Sequence, residues 1–178
     1  MLFYKGLRVS LTAPGNRKAY NGQLFFALGG SMRSAEELKA LTREFRKDIL
    51  TVTHAAGSGH PGGSLSAIDV LTVLFFHELK YDAANPKWPR RDRFILSKGH
   101  ATPAYYSVLA AAGFFPKSML VGYRKLGGRL EGHPSARIPG VEIATGSLGQ
   151  GLSVGNGIAL CAKVDGYDYR VYVMLGDG

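Results

Sequence analysis

The sequence predicts an α/β domain in which a parallel sheet is flanked by helices. Two short apolar runs, Arg93–Ser97 and Val171–Leu175, are followed by glycine and polar residues, as buried parallel strands often are at their carboxyl ends. Elsewhere apolar residues recur every three or four positions, which is the helical period. Ligands bind at the carboxyl ends of such strands, so the residues that follow each run are candidates for a functional site.

The composition indicates one globular domain. The chain has 178 residues, of which 46% are hydrophobic, and its mean hydropathy is −0.01. The longest apolar run, Ile68–Phe76, is broken by Asp69 and Thr72 and is too short to cross a membrane. The single cysteine, Cys161, excludes an internal disulfide and fits a reducing, cytoplasmic compartment. Because it lies in an apolar helical run, it is predicted to be a core thiol.

The net charge of +9 does not indicate a nucleic-acid-binding protein. Four of the basic residues, Lys5, Arg8, Arg17 and Lys18, lie in the first thirty positions, and the others are scattered. No helix-turn-helix, zinc-finger or single-strand-binding motif is found. We therefore expect an anionic small-molecule substrate, with no nucleic-acid or membrane partner.

Residues 1–31 are predicted to be an extension outside the domain, which then spans residues 32–178. They are rich in turn-forming residues, contain no acid and show no helical or strand period. A transit peptide is one interpretation. A translated upstream extension with the natural start at Met32 is the interpretation that we prefer.

The first predicted helix runs from Ser34 to about Ala56. Ser34 and Glu37 form a capping box, and apolar residues follow at spacings of three and four. Those apolar residues are Leu38, Leu41, Phe45, Ile49 and Val52. His54, near the end of the helix, is predicted to face solvent rather than to bind a ligand.

Two further helices are predicted to belong to the core. Apolar residues surround the segment Ile68–Leu79 almost entirely, and Ser66 with Asp69 is predicted to cap it. The helix after the first strand begins near Pro103 and ends before Gly113, because proline favours the first turn of a helix and glycine the position after the last.

Three glycine-containing loops each carry one histidine: His60, His100 and His133. The last of them belongs to the irregular segment 127–145, and loops of that length are usually functional or mobile. The glycine-rich run Thr145–Gly157 follows and leads into a helix that ends near Lys163. From its own segment alone, His60 is as consistent with a structural turn residue as with an exposed imidazole in a cleft.

Three chemistries compete for these residues. Gly151-Leu-Ser153-Val-Gly155 matches a nucleophile elbow, but no histidine follows the serine in the chain. A dinucleotide fingerprint beginning at Gly149 would need glycine where Val154 stands. A zinc site formed by the three loop histidines is chemically possible, although they lack the close spacing common in zinc enzymes.

Five segments, in this order, resemble motifs of the transketolase family. They are Ser58–Gly62 (SGHPG), Asp92–Ala101 (DRFILSKGHA), Gly132–Pro134 (GHP), Thr145–Gly151 (TGSLGQG) and Leu175–Gly178 (LGDG). The likeness covers about residues 34–178 and is strongest to the N-terminal subunits of transketolases that are split into two chains. It implies that the domain is the diphosphate-binding half of a thiamine-diphosphate site, incomplete at its C-terminal end.

The resemblance implies transfer of a two-carbon ketol unit between sugar phosphates with thiamine diphosphate and Mg²⁺ (or Ca²⁺). Position by position, Asp177 would ligate the metal, and Gly178 and His100 would contact the diphosphate. Gly146 and Leu148 would offer backbone groups to the aminopyrimidine. Two alternatives remain: a non-catalytic truncated fragment, and another thiamine-diphosphate ketol transferase such as a dihydroxyacetone synthase.

The same resemblance gives catalytic roles to His60, His100 and His133, which would face the substrate channel, hydrogen-bond sugar hydroxyls and assist proton transfer. Ser147 stands where many members carry proline, which is compatible with split subunits. The family's second metal ligand and its pyrimidine-binding domain would lie beyond Gly178. The resemblance therefore implies dimerisation with the help of a C-terminal partner subunit, and the chain alone is expected to be an inactive piece.

Overall fold

The computed structural model describes residues 33–176, so the predictions for residues 1–31, Asp177 and Gly178 lie outside the described part of the chain. The helices are α1 (Ala35–Ala56), α2 (Pro61–Leu65), α3 (Ile68–Val73), α4 (Thr102–Ala111) and α5 (Gly151–Val164), and the strands are β1 (Arg93–Leu96) and β2 (Val171–Met174). A π-helical turn, Leu74–Glu78, continues α3, and 3₁₀ turns cover Gly99–Ala101 and Lys117–Gly122. Between residues 33 and 176, no helix combines the length and the apolar character that a bilayer crossing requires.

Helix α1 begins and ends where the sequence predicts. The Ser34 hydroxyl accepts a hydrogen bond from the backbone N–H of Glu37 at 3.3 Å, and the Glu37 carboxylate accepts one from the Ser34 N–H at 2.7 Å. These reciprocal bonds satisfy two N–H groups that have no partner within the helix. At the other end Gly57 adopts a left-handed conformation with φ 62°, and its N–H donates to the carbonyl of His54. The predicted capping box is confirmed.

The predicted cap of the next helix is wrong. Ser66 lies at the end of α2 with helical backbone angles, so its hydroxyl is placed to donate to the carbonyl of Gly63 at 3.0 Å rather than to cap α3. Asp69 instead forms an ion pair with Arg46 of α1. Helix α3 is also less enclosed than predicted, because Val73 is 41% exposed.

The two strands pair in parallel, as predicted. Arg93 lies opposite Val171 and Leu96 opposite Met174. The Asp92 carboxylate fixes the start of the pair, since it accepts hydrogen bonds from the backbone N–H of Arg170 at 2.7 Å and of Lys80 at 2.9 Å. The carboxyl ends of β1 and β2 consequently meet at the same edge of the sheet.

Helices cover both faces of this sheet. Phe94 and Leu96 of β1 belong to the main core with α1, α3 and α4, whereas Ile95 packs with Val173 and Ala159 on the side of α5. The alternation follows from the two-residue period of a strand. Helix α4 is buried from Thr102 to Ala110. The described residues therefore form an α/β domain with a parallel sheet between helical layers, and the predicted fold class is confirmed.

Helix α5 packs through its small residues, and this makes the prediction for Cys161 wrong. The buried residues of α5 are Gly151, Gly155, Ala159 and Ala162. A Cβ at Gly155 would lie 2.5 Å from Cγ2 of Val173, so the helix approaches the strand at a distance that only glycine permits. Cys161 lies off this stripe and is exposed, as are Leu160 (61%) and Val164 (86%).

Candidate functional site

The candidate site is built around the carboxyl end of β1. Directly after this strand, Ser97 accepts hydrogen bonds from the start of α5: its hydroxyl from the N–H of Gly151 at 3.0 Å and its carbonyl from the N–H of Gly149 at 3.3 Å. The Thr145 hydroxyl donates to the carbonyl of Leu96 at 2.6 Å. These bonds hold the glycine-rich segment 145–151 against the end of the strand.

Close backbone approach at this point requires glycine. A Cβ at Gly99 would overlap the carbonyl and the hydroxyl of Thr145. The next residues of the glycine-rich segment, Gly146 and Leu148, are exposed, with Leu148 68% exposed. Both residues are thus accessible in the segment that is anchored to β1. Their assignment to an aminopyrimidine remains a prediction.

The loop histidines His60 and His100 are in contact. Their ring centroids lie 5.2 Å apart with an edge-to-face angle of 72°. The His100 ring also lies against Gly63, where a Cβ would come within 2.7 Å of Nε2. Burial lowers the pKa of His100, and the neighbouring His60, Lys98 and His133 side chains lower this pKa further. A neutral imidazole can both donate and accept a proton, as general acid–base catalysis requires.

The third loop histidine, His133, lies beside the glycine-rich segment. A Cβ at Gly146 would be 3.4 Å from Cδ2 of the His133 ring. Helix α4 holds this loop through its backbone, since the Tyr106 hydroxyl donates to the carbonyl of His133 at 3.0 Å and the Thr102 hydroxyl donates to the carbonyl of Gly132 at 2.8 Å. The fold therefore brings all three loops to one edge of the sheet, and the catalytic roles of the histidines remain predictions.

Lys98 is a site residue that the sequence patterns alone do not identify. It is only 8% exposed, and its ammonium group donates to the Ser66 hydroxyl at 2.9 Å. Its position two residues before His100, at the end of a predicted strand, is the signal that could have identified it. The ammonium group, the His100 imidazole and the adjacent glycine-rich backbone together form a donor set that suits an anionic diphosphate.

The competing chemistries gain no support from this geometry. Within residues 33–176, no three His, Cys, Asp or Glu side chains are grouped as metal ligands, so the three loop histidines are not arranged as a zinc site. Ser153 lies inside the first turn of α5 and follows a loop, whereas a nucleophile elbow places the serine directly between a strand and a helix. Asp177, the predicted Mg²⁺ ligand, belongs to the residues outside the described part.

Comparison with known proteins identifies one family. Residues 38–178 match the family described as "Transketolase, thiamine diphosphate binding domain". The chain is 47% identical over 144 residues to a transketolase of Mus musculus, which is 80% of this chain and 23% of that protein. It is 43% identical over 143 residues to one subunit of the apulose-4-phosphate transketolase of Phocaeicola vulgatus, covering 80% of this chain and 51% of that subunit.

Solved structures agree with these sequence matches. The transketolase of Campylobacter jejuni superposes with a TM-score of 0.70 at 38% sequence identity, over 74% of this chain and 21% of that one. The chain thus spans about a quarter of the length of the single-chain transketolases that it matches, and about half of the Phocaeicola vulgatus subunit.

Proposed function

The chain belongs to the transketolase family, and we propose that it forms the diphosphate side of a site that transfers a two-carbon ketol unit between sugar phosphates. The proposal rests on one observation above all, the contact between His60 and His100 beside the buried Lys98 at the carboxyl end of β1. This edge of a parallel sheet is where α/β proteins bind their ligands. The apulose-4-phosphate transketolase of Phocaeicola vulgatus, one of the relatives, supports sugar phosphates as the class of substrate.

In this proposal the cofactor is held mainly by groups after β1 and β2. His100 and Lys98 would contact the diphosphate oxygens, and the exposed residues Gly146 and Leu148 would receive the aminopyrimidine. Asp177 would give one oxygen to Mg²⁺ and Gly178 would contact the diphosphate. When bound, thiamine diphosphate supplies the carbanion-stabilising group of the transfer.

The three histidines act on the sugar. His60 and His133 are exposed side chains on loops that reach the same edge of the sheet, and they bind hydroxyl groups of the substrate. His100, whose pKa is lowered by burial and by its neighbours, can accept a hydroxyl proton near the reacting carbon and return it. Because the three loops meet at one edge of the sheet, their histidines orient the sugar before the proton moves.

A partner chain is part of the proposal. The Phocaeicola vulgatus relative is itself named as a subunit, which supports a C-terminal transketolase chain as the partner, with the pair forming dimers. The chain should therefore be assayed alone and with such a partner, in the presence of thiamine diphosphate and Mg²⁺. Ketol transfer from xylulose 5-phosphate to ribose 5-phosphate is the activity to measure.

Histidine variants test the roles separately. We expect His100→Ala to weaken thiamine diphosphate affinity and turnover together, and His60→Ala and His133→Ala to reduce turnover by about 100-fold with little change in cofactor affinity. His77→Ala is the matched control, because His77 is an exposed histidine on the π-helical turn, away from the three loops. Equal effects of the three loop variants on cofactor affinity, or stoichiometric zinc in the purified protein, would contradict the proposal.

A further inference from the structure

Three buried hydroxyl groups lie beneath the histidine loops. Thr102 and Tyr106 are one turn apart on α4 and are fully buried, and Tyr123, which follows the 3₁₀ turn Lys117–Gly122, is 1% exposed. Thr102 and Tyr123 are hydrogen-bonded through their oxygens at 3.3 Å. Since the Thr102 hydroxyl gives its only proton to the carbonyl of Gly132, Tyr123 must be the donor in this bond.

These hydroxyls bond the backbone of the His133 loop and lie close to the other two histidine loops. Thr102 follows His100 by two residues and binds the carbonyl before His133, and Tyr106 binds the carbonyl of His133 itself. Tyr123 reaches the remaining loop, because its oxygen would lie 3.6 Å from a Cβ placed on Gly59, the residue before His60. A side chain that bonds the main chain of a loop fixes the position of the residues it bonds, and here these are His133 itself and the residue before it.

The network is suited to hold its geometry. Its two side chains on α4 start from a helix that is buried over nine consecutive residues, so they cannot move independently of the core. Burial also raises the pKa of Tyr106 well above the ordinary value, which keeps its hydroxyl protonated and able to donate at any working pH. Hydrogen bonds in such a low-dielectric environment strengthen one another.

We propose that Thr102, Tyr106 and Tyr123 are positioning residues that set the place of His133 relative to His60 and His100. The inference rests on the proposed function for the roles of the histidines, but the placement itself concerns only residues of this chain. In this proposal none of the three hydroxyls touches the substrate or the cofactor. Their effect on turnover passes through the histidine loops.

The test removes one hydroxyl at a time from the chain. Tyr106→Phe keeps the ring and its burial but removes the donor to His133. Tyr105→Phe is a matched control, because Tyr105 is the adjacent residue on α4 and equally buried, and its hydroxyl donates at 2.8 Å to the carbonyl of Gly140, which lies in the same segment but seven residues beyond His133. Imidazole ¹H–¹⁵N spectra of the ¹⁵N-labelled protein report the environment and motion of His133.

We expect Tyr106→Phe to shift and broaden the His133 resonances, and Tyr105→Phe to leave them as in the parent protein. In the complex with the C-terminal subunit, Tyr106→Phe should lower kcat by about 10- to 100-fold while the affinity for thiamine diphosphate stays within about two-fold. Unchanged His133 resonances in Tyr106→Phe, or the same change in both variants, would overturn the inference.

Substitutions of Thr102 provide a second, independent measurement. Thr102→Ser keeps the donor to Gly132 and should behave as the parent protein, whereas Thr102→Val removes it and should move the His133 resonances as Tyr106→Phe does. If the parent complex shows no ketol transfer, the proposed function fails while the spectra still decide whether these hydroxyls position His133. Unchanged His133 resonances in Thr102→Val, like unchanged resonances in Tyr106→Phe, would disprove the positioning role.

Discussion

Placing a methyl group on Gly63 should displace the imidazole of His100 without unfolding the domain. Gly63 is in α2 and has no positive φ, so alanine is compatible with its backbone. A Cβ there would lie 2.7 Å from Nε2 and 2.8 Å from Cδ2 of His100. The neighbour that must move is the outer end of a side chain, so the ring rather than the main chain gives way.

The size of the effect follows from these distances. To reach an ordinary contact of about 3.4 Å, the imidazole must recede by roughly 0.7 Å. A displacement near 1 Å in a catalytic constellation reduces the rate by about 100-fold, which corresponds to ~2.7 kcal/mol. For Gly63→Ala we therefore expect turnover to fall by about 10- to 100-fold. Alanine in a helix is favoured over glycine by up to ~1 kcal/mol, so the melting temperature should change little.

Gly62→Ala is the matched control, since it adds the same methyl group to the same helix where no atom lies within 4 Å of the added Cβ. The measurements are imidazole spectra of the chain, its thermal unfolding, and ketol transfer in the complex with the C-terminal subunit. Identical His100 resonances and turnover in Gly63→Ala, Gly62→Ala and the parent protein would refute the steric reasoning. A large loss of stability in Gly63→Ala would show that the main chain, not the ring, had moved.

Three further predictions concern stability. Arg91→Met should lower the free energy of unfolding by about 2 to 3 kcal/mol, because the largely buried carboxylate of Glu142 loses the guanidinium bound at 2.7 and 2.8 Å and keeps only Arg93, at 4.0 Å. Arg90→Met, at an exposed site, should change the free energy of unfolding by less than about 0.5 kcal/mol. Burial raises the pKa of Glu142 to about 7, so the loss should be smaller at pH 5 than at pH 8. The pKa of His100 is lower in the folded chain than in the unfolded chain, so the unfolded chain binds a proton more readily. The free energy of unfolding should therefore fall as the pH drops below about 6.5, and His100→Gln should make this pH dependence weaker. Ser34→Ala removes the cap of α1 and should reduce the free energy of unfolding by about 1 kcal/mol in denaturant titration.

Each of these expectations has an outcome that contradicts it. Equal decreases in the free energy of unfolding for Arg91→Met and Arg90→Met would mean that the ion pair of Arg91 with Glu142 adds nothing to stability. If the free energy of unfolding changes equally between pH 5.5 and 7.5 in the parent protein and in His100→Gln, another group must take up the proton. Unchanged stability of Ser34→Ala would mean that water replaces the cap without cost.

The fold is predictable from sequence where its determinants are local. The capping box of α1, the two strands and the glycine after α4 each depend on residues within a few positions of one another, and all are found in the structure. The cap assigned to Ser66 fails because the preceding residues fold into α2, which the glycines of that loop do not indicate. Cys161 is exposed because helix α5 buries a narrow stripe of glycine and alanine, whereas an apolar run is expected to bury its larger residues.

The candidate site is predictable to the level of its loops but not of its contacts. The glycine-rich motifs identify the segments of His60, His100 and His133, since such motifs have a recognisable order. The supporting contacts join residues far apart in the chain, such as the Lys98 ammonium on Ser66 and the Tyr106 hydroxyl on His133. These pairs depend on how the helices pack, and no local pattern encodes them.

The pairing of β1 with β2 also implies an order of folding. The carboxylate of Asp92 binds an N–H 78 residues further along the chain, and the strands pair at the same separation. Closing a loop of that length costs about 4 kcal/mol of chain entropy before any strand contact is made. The packing of α3 against α1 and against α4 closes shorter loops, so this helical layer is expected to form first and β2 to dock last. In native-state hydrogen exchange the amides of β2 would then open more readily than those of α4, and the edge of the sheet that bears the candidate site would be completed only at the final step of folding.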